Sequence, residues 1–297
     1  MAIDLRIGVR IRAPRATVFP LLLTPHHLAR WFCNFAQVEP TVGGRFRFGG
    51  DYAIAAADPP GWSCEILSGE ALAAVAFRWP LPQGDTRVDW RAEDAAEGCV
   101  LRVAHTGLPG EDTTCGMFLD AWRICLGNLK AIAEGRSDSL RPDSSPPMEP
   151  TKLDVLIDVP PRRVFEALVE PERLQRWAGD SSPSIVDPRV GGRYGMGGGG
   201  APGTILAWEP ATTLTVAWPP GGPAQRFTIT LEEKSGGRCG LYSRHAGLSL
   251  DNPDALLRFR SRWTDCLVGL KNYLEAGETG FTEPRDAEIA GGSGSVP

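Results

Sequence analysis

Four side chains in this 297-residue chain change charge near neutral pH without assistance: His26, His27, His105 and His245. His26 and His27 are adjacent on a short helical stretch and read as solvated surface. His105 and His245 stand in matching contexts, His-Thr-Gly-Leu and His-Ala-Gly-Leu, each near the end of a strand-like run. Either could serve as acid, base or ligand, but a hydrogen-bonded structural histidine is the simpler expectation. No Cys, Asp or Glu accompanies them at ligand spacing, so no metal and no cofactor is expected. The seven cysteines (Cys33, Cys64, Cys99, Cys115, Cys125, Cys239 and Cys266) include no CxxC pair. They read as reduced thiols of a cytoplasmic protein, and none is placed as a thiolate nucleophile. No Gly-x-Ser-x-Gly elbow is present, and no catalytic residue is assigned. Gly195-Met196-Gly197-Gly198-Gly199-Gly200 satisfies GxGxxG, but a strand-like run follows it where a dinucleotide site needs a helix. It reads as a hairpin loop. Arg45, Arg47 and Arg193 follow a Gly-Gly turn and read as solvent-facing. The sharper alternative is a cavity-mouth arginine holding a carboxylate or phenolate.

These residues are positioned by a duplicated scaffold. Val18-Phe19 and Leu22 recur as Val164-Phe165 and Leu168, and Leu28 and Trp31 recur as Leu174 and Trp177, all at an offset of 146. Val42-Gly43-Gly44-Arg45-Phe46 recurs as Val190-Gly191-Gly192-Arg193-Tyr194 at 148. His105-Thr106-Gly107-Leu108 recurs as His245-Ala246-Gly247-Leu248 at 140, and Trp122 and Leu129-Lys130 recur as Trp263 and Leu270-Lys271 at 141. Conserved order with a drifting offset is what loop insertions between two copies of one domain produce. Residues 1–135 form the first copy and 151–276 the second. The Pro- and Ser-rich stretch 136–150 reads as an exposed linker, and 277–297 as a disordered tail.

Each copy opens with an alternating strand: residues 3–12 in the first, Lys152–Val159 in the second. Two short helices follow, begun by prolines at their first turns. Several strand-like runs come next, in the first copy Arg45–Phe48, Gly61–Leu67, Leu72–Trp79, Thr86–Ala92 and Cys99–His105. Hairpin-length connections imply an antiparallel sheet. A long helix closes each copy. Phe118, Trp122, Cys125, Leu129 and Ile132 form one apolar stripe on it, matched by Leu256, Phe259, Trp263, Cys266, Leu270 and Tyr273. The fold class expected is α+β: two tandem helix-grip domains, each a curved antiparallel sheet of about seven strands around a C-terminal helix. A sheet too curved to meet the helix along its whole length leaves an internal cavity.

The Val-Phe…Leu…Trp run, Val-Gly-Gly-Arg-Phe/Tyr, the strand ending His-x-Gly-Leu and the Trp-bearing last helix together resemble the SRPBCC superfamily. That superfamily has the START and birch-pollen-allergen-like helix-grip fold. The branch they resemble is named after the C-terminal domain of the activator of heat-shock protein 90 ATPase. The resemblance implies a cavity for small apolar ligands in each copy. The residues expected to line the two cavities are Trp31, Phe46, Phe48, Trp79, His105, Phe118 and Trp122, and Trp177, Tyr194, Trp218, His245, Phe259 and Trp263. Members include lipid carriers, polyketide aromatase/cyclases and antibiotic self-resistance proteins. Non-enzymatic binding or sequestration of a lipid-like or polyketide-like molecule is therefore the leading expectation. A cyclase or dehydratase using His105, His245, Tyr242 or Arg45 is the alternative, and a chaperone-linked partner-binding protein the third.

Composition narrows the partners. A net charge of −5 with both signs dispersed gives no basic footprint for nucleic acid. No apolar run reaches the ~18 residues of a membrane span. The strand-like N-terminus carries no signal-peptide pattern.

Overall fold

A computed structural model of the chain describes residues 2–54, 62–110, 112–148, 150–178, 181–197, 201–218, 225–247 and 251–290. It divides into two units, the first comprising the described residues up to Ser145 together with 280–290.

In the first unit, Ile3, Leu5, Ile7, Val9 and Ile11 face one side of β1 (Ala2–Ile11) and are buried there, as a period of two requires. Then come α1 (Arg15–Leu23), α2 (Pro25–Trp31), β2 (Phe35–Val38), β3 (Arg45–Gly49), β4 (Trp62–Glu70), β5 (Ala74–Leu81), β6 (Gly84–Ala95), β7 (Gly98–Pro109) and α3 (Asp112–Ala133). The second unit repeats the plan. It runs β8 (Thr151–Ile157), α4 (Pro161–Val169), α5 (Pro171–Ala178), β9 (Ile185–Val186), β10 (Arg193–Gly195), β11 (Gly203–Glu209), β12 (Thr213–Trp218), β13 (Gln225–Lys234), β14 (Arg238–Ala246) and α6 (Pro253–Ala276). A last strand, β15 (Ile289–Ala290), returns to the first unit.

Both sheets are antiparallel and in the same order: β1-β7-β6-β5-β4-β3-β2, with β15 added beside β1, and β8-β14-β13-β12-β11-β10-β9. The register slips at the same place in each, after Ile66 and after Ile205. Leu72 and Ala211 hold left-handed backbone (φ 58° and 60°) in the equivalent next turn. Expectation and structure thus agree on tandem α+β units with seven-stranded sheets. The edge strand β2 is the one the alternation pattern did not reveal.

The recurring motifs have structural causes. In each Gly-Gly pair the first glycine sits at positive φ (78° and 79°) and its N–H donates to Ile66 or Ile205 at 2.8 Å. A Cβ on the second, Gly44 or Gly192, would lie 2.2 Å from a backbone carbonyl, that of Glu39 or Asp187. Both positions therefore need glycine. Buried Lys130 donates from Nζ to the Arg10 carbonyl (2.9 Å) and pairs with Glu134 (2.6 Å). Lys271 does the same with Leu156 (2.8 Å) and Glu275 (2.5 Å). The Leu-Lys motif thus pins the end of each long helix to the first strand of its sheet.

Two segments differ from the sequence reading. The expected linker is held to the first unit over much of its length. The Ser139 N–H donates to Asn128 Oδ1 (2.8 Å), Arg141 donates to the Ala29 carbonyl (2.9 Å) and the Ser144 N–H to the Asp51 carbonyl (2.8 Å). The expected tail also forms structure over 280–290. Arg10 N–H donates to Gly280, Thr282 N–H to Gly8 and Arg6 N–H to Glu288, at 2.8–2.9 Å. Glu288 then forms a buried ion pair with Arg123 of α3 (2.8 Å), and Arg285 pairs with Asp120. Charge pairs and main-chain bonds, rather than apolar periodicity, fix both segments. Residues 291–297 lie outside the described residues.

Candidate functional site

The two sheets can be superposed residue by residue from their registers. Val88 pairs with His105 as Phe227 pairs with His245, and Trp79 pairs with Thr86 as Trp218 pairs with Gln225. Phe46 opposite Cys64 corresponds to Tyr194 opposite Gly203. On the helices, the offset of 141 matches Phe118 and Trp122 with Phe259 and Trp263.

In the first unit these residues form a continuous solid of rings. Phe32 lies 4.7 Å from Phe48, Phe46 4.9 Å from Phe77, Phe77 5.0 Å from Trp90 and Phe48 5.0 Å from Trp79, centroid to centroid. Trp122 edges onto Trp79 and Trp90. None of Trp31, Phe46, Phe48, Trp79, Phe118, Trp122 and His105 is more than 4% exposed. Spacings of 4.5–7 Å are those of rings in contact. The rings expected to line a cavity in this copy are thus in contact with one another. Phe32 and Trp90 complete the filling, and neither was singled out in the sequence.

His105 is fully committed within that solid. The Trp122 indole N–H donates to its Nδ1 (3.2 Å). An indole can only donate, so the imidazole proton sits on Nε2 and faces Thr86 Oγ1 at 2.9 Å. The threonine hydroxyl in turn donates to the Trp79 carbonyl (2.8 Å). Burial holds the His105 pKa down to about 3. This is the structural histidine that the sequence suggested.

The second unit keeps the frame and changes the filling. At matching positions Phe32 becomes Ala178, Phe48 becomes Met196, Phe77 becomes Val216 and Trp90 becomes Ile229. Phe227 brings a ring where the first unit has Val88. Trp263 lies flat on Phe227 (centroids 3.8 Å, planes 18° apart) instead of donating to the histidine. His245 stacks on Phe259 (3.6 Å, 17°). Its Nδ1 is buried and has no hydrogen-bond partner among the described residues. Thr151 and Ser243, both buried, replace Leu5 and Val103 on the same sheet face, Thr151 directly opposite His245. Trp218 and Phe259 are half-buried, whereas their counterparts Trp79 and Phe118 are enclosed. Burial lowers the His245 pKa to about 4, so the imidazole is neutral at physiological pH.

Other expected residues play different parts. Trp31 and Trp177 brace the short helices, donating from Nε1 to the Leu21 and Ala167 carbonyls (2.9 and 2.8 Å). The Tyr194 hydroxyl is tied to the Leu168 carbonyl (2.9 Å) while its ring meets Trp218 edge-on (5.8 Å). Tyr242 is on the outer face of β14, beneath Lys234. Arg45 and Arg193 are exposed, the latter paired with Asp187 (3.0 Å), so neither guards an interior mouth. The glycine run lies between antiparallel β10 and β11, which excludes the strand-helix geometry of a dinucleotide loop; its residues 198–200 lie outside the described residues. Burial pushes the thiols up, Cys33 to about 12 and Cys99 and Cys239 to about 11. They are free cysteines and protonated, without the thiolate a nucleophile needs. Two concavities of about 290 and 270 Å³ lie on the first unit's outer surface, around Arg6, Asp89 and Arg102 and around Glu39, Arg45 and Arg78. The second is walled mainly by polar atoms, and Arg78 and Arg102 are already paired with Glu65 and Glu93. No helix is long and apolar enough to cross a membrane among the described residues.

A family profile described as activator of Hsp90 ATPase homolog 1-like protein matches residues 12–134 and again 158–275. The chain belongs to this family. It carries two AHSA1-like domains of the SRPBCC superfamily in tandem, with the recurring glycine, tryptophan and lysine motifs inside both matches. Among solved structures, DynU16, a protein in the dynemicin biosynthetic locus, is 21% identical, with a TM-score of 0.40 over 92% of this chain and 99% of that one. CalU16 from Micromonospora echinospora is 19% identical (TM-score 0.35; 45% of this chain, 75% of that one). The Aha1 dimer from Colwellia psychrerythraea is also 19% identical (TM-score 0.37; 45% and 96%). No curated protein matches the AHSA1-like chain.

Proposed function

We propose that the second AHSA1-like unit binds a small hydrophobic molecule, lipid-like or polyketide-like, between its sheet and α6, and that the first unit is a filled scaffold. The observation that carries this reading is the buried Nδ1 of His245, without a partner among the described residues, where the corresponding Nδ1 of His105 accepts from Trp122; the half-buried Trp218 and Phe259 stand where the first unit has the enclosed Trp79 and Phe118. An unsatisfied buried polar atom costs about 1–3 kcal/mol, which an occupant can recover. A ligand burying ~300 Å² of apolar surface gains about 7 kcal/mol at ~25 cal/mol/Å². Association returns several kcal/mol of that, leaving affinities of micromolar order. Binding is favoured over catalysis because an imidazole held to about 4 is a weak base at neutral pH. A binder of this kind can serve to sequester a toxic metabolite.

Titration calorimetry of the full chain with naphthalene tests the reading. Saturation at one equivalent per chain with micromolar affinity is expected. No heat at the probe's solubility limit, or two equivalents per chain, would overturn it.

A further inference from the structure

We propose that the edge strand of the second unit, β8, is a docking surface for β8 of a second copy of this chain, the two strands pairing antiparallel about a twofold axis. The proposal is independent of the ligand reading above.

The two units differ at this edge. In the first, the backbone groups of β1 that point away from β7 belong to Arg6, Gly8 and Arg10, and the returning segment takes them. Arg6 N–H donates to Glu288, Arg10 N–H to Gly280, and the Gly8 carbonyl accepts from Thr282. The offset of 146 makes Lys152, Asp154 and Leu156 the matching residues of β8. β8 ends its sheet, with β14 on one side and no strand on the other among the described residues. Of its outward groups, the Leu156 carbonyl accepts from Lys271 Nζ (2.8 Å). A row of unpaired backbone groups is a template for another strand. The C-terminal segment of a second copy does not fit there. Its Arg285 and Glu288 pair with Asp120 and Arg123, and α6 has Ser261 and Thr264 at those places.

β8 is instead complementary to itself. Two edges that both present Lys152, Asp154 and Leu156 must set even-numbered residues opposite one another, side chains on a shared face. One register places Lys152 against Asp154 of the second copy. A twofold axis repeats that pair in reverse, so both copies gain it. Asp154 already holds Arg244 of β14, and the incoming lysine completes a row of alternating charge. The same register puts exposed Leu156 against exposed Pro150. Proline has no N–H to donate, and the Leu156 carbonyl, bonded to Lys271, needs none. The neighbouring registers set Lys152 against Lys152 or Asp154 against Asp154. A further shift carries Lys152 to Asp158, beyond the end of β8, whose N–H is already given to Glu275 (2.9 Å).

Sedimentation equilibrium of the full chain, from micromolar to sub-millimolar concentration, tests the proposal. The unaltered chain should show a monomer–dimer equilibrium. Lys152→Asp and Asp154→Lys each turn both cross-axis pairs into like charges and should weaken dimerisation at least about tenfold. Mixing the two variants sets opposite charges against each other again, and the dimer should return. In the unaltered chain the backbone N–H groups of Lys152, Asp154 and Leu156 should exchange more slowly with solvent as concentration rises, a readout that needs no variant to fold. A monomer at every concentration, a dimer indifferent to both substitutions, exchange at these three groups that ignores concentration, or folded variants that stay apart when mixed would each overturn the proposal.

Discussion

Replacing Glu288 with alanine tests whether the returning C-terminal segment is part of the first unit's core. Glu288 is fully buried, and its carboxylate accepts from Arg123 at 2.8 Å; the guanidinium also lies 3.9 Å over the Phe281 ring. Removing the carboxylate leaves a guanidinium that is 3% exposed without this counter-charge. Breaking a buried pair in this way costs about 3–5 kcal/mol. With a urea slope of about 2 kcal/mol per molar, the midpoint of the first unit should fall by about 2 M. Hydrogen exchange followed by mass spectrometry should locate the loss. Protection should drop in β1 and α3, where the segment binds, and hold in β13, β14 and α6. Glu288→Gln keeps an acceptor and should lose less. A midpoint change below about 0.5 M, or equal loss of protection in both units, would show that the segment contributes no such energy and refute the reasoning.

Acid should destabilise the first unit. The folded pKa of His105 is about 3 against about 6.5 unfolded, so the unfolded chain takes the proton first and stability rises with pH between those values and is flat above. Moving from pH 6.5 to 5 should remove about 2 kcal/mol, read as a lower urea midpoint that His105→Gln no longer shows. Refilling the second unit should abolish binding: Val216→Phe restores the ring found at Phe77, and calorimetry should show naphthalene affinity falling at least about tenfold with the fold retained by circular dichroism. Undiminished affinity in that variant would place the ligand elsewhere.

The duplication was legible because its motifs are fixed by backbone demands. Gly44 and Gly192 admit no side chain, and Lys130 and Lys271 bridge helix to strand, so neither copy could drift at these places. The helix stripe with Phe118, Trp122, Phe259 and Trp263 was legible from its period, and all four rings do meet the sheet. Whether facing rings enclose space or touch was not legible, because periodicity gives direction and not distance. The clue was comparative. Aligning the copies position by position sets Phe32, Phe77 and Trp90 against Ala178, Val216 and Ile229, and Val88 against Phe227. Trp90 itself could have been found from the alternation Val88-Asp89-Trp90-Arg91-Ala92. The last segment was hidden for a different reason: Asp120 and Arg123 read as a polar helix face until Arg285 and Glu288, some 165 residues away, are brought against them.

Because β15 follows the second unit in sequence and pairs in the first, the second unit is an insertion within the first. A ribosome makes the whole inserted unit before it makes the strand that finishes the earlier one. The first unit must therefore wait, with the β1 edge unpaired, until residues 289–290 emerge. A fragment ending near residue 145 would keep that unfinished edge permanently, and an unpaired edge invites association with other chains.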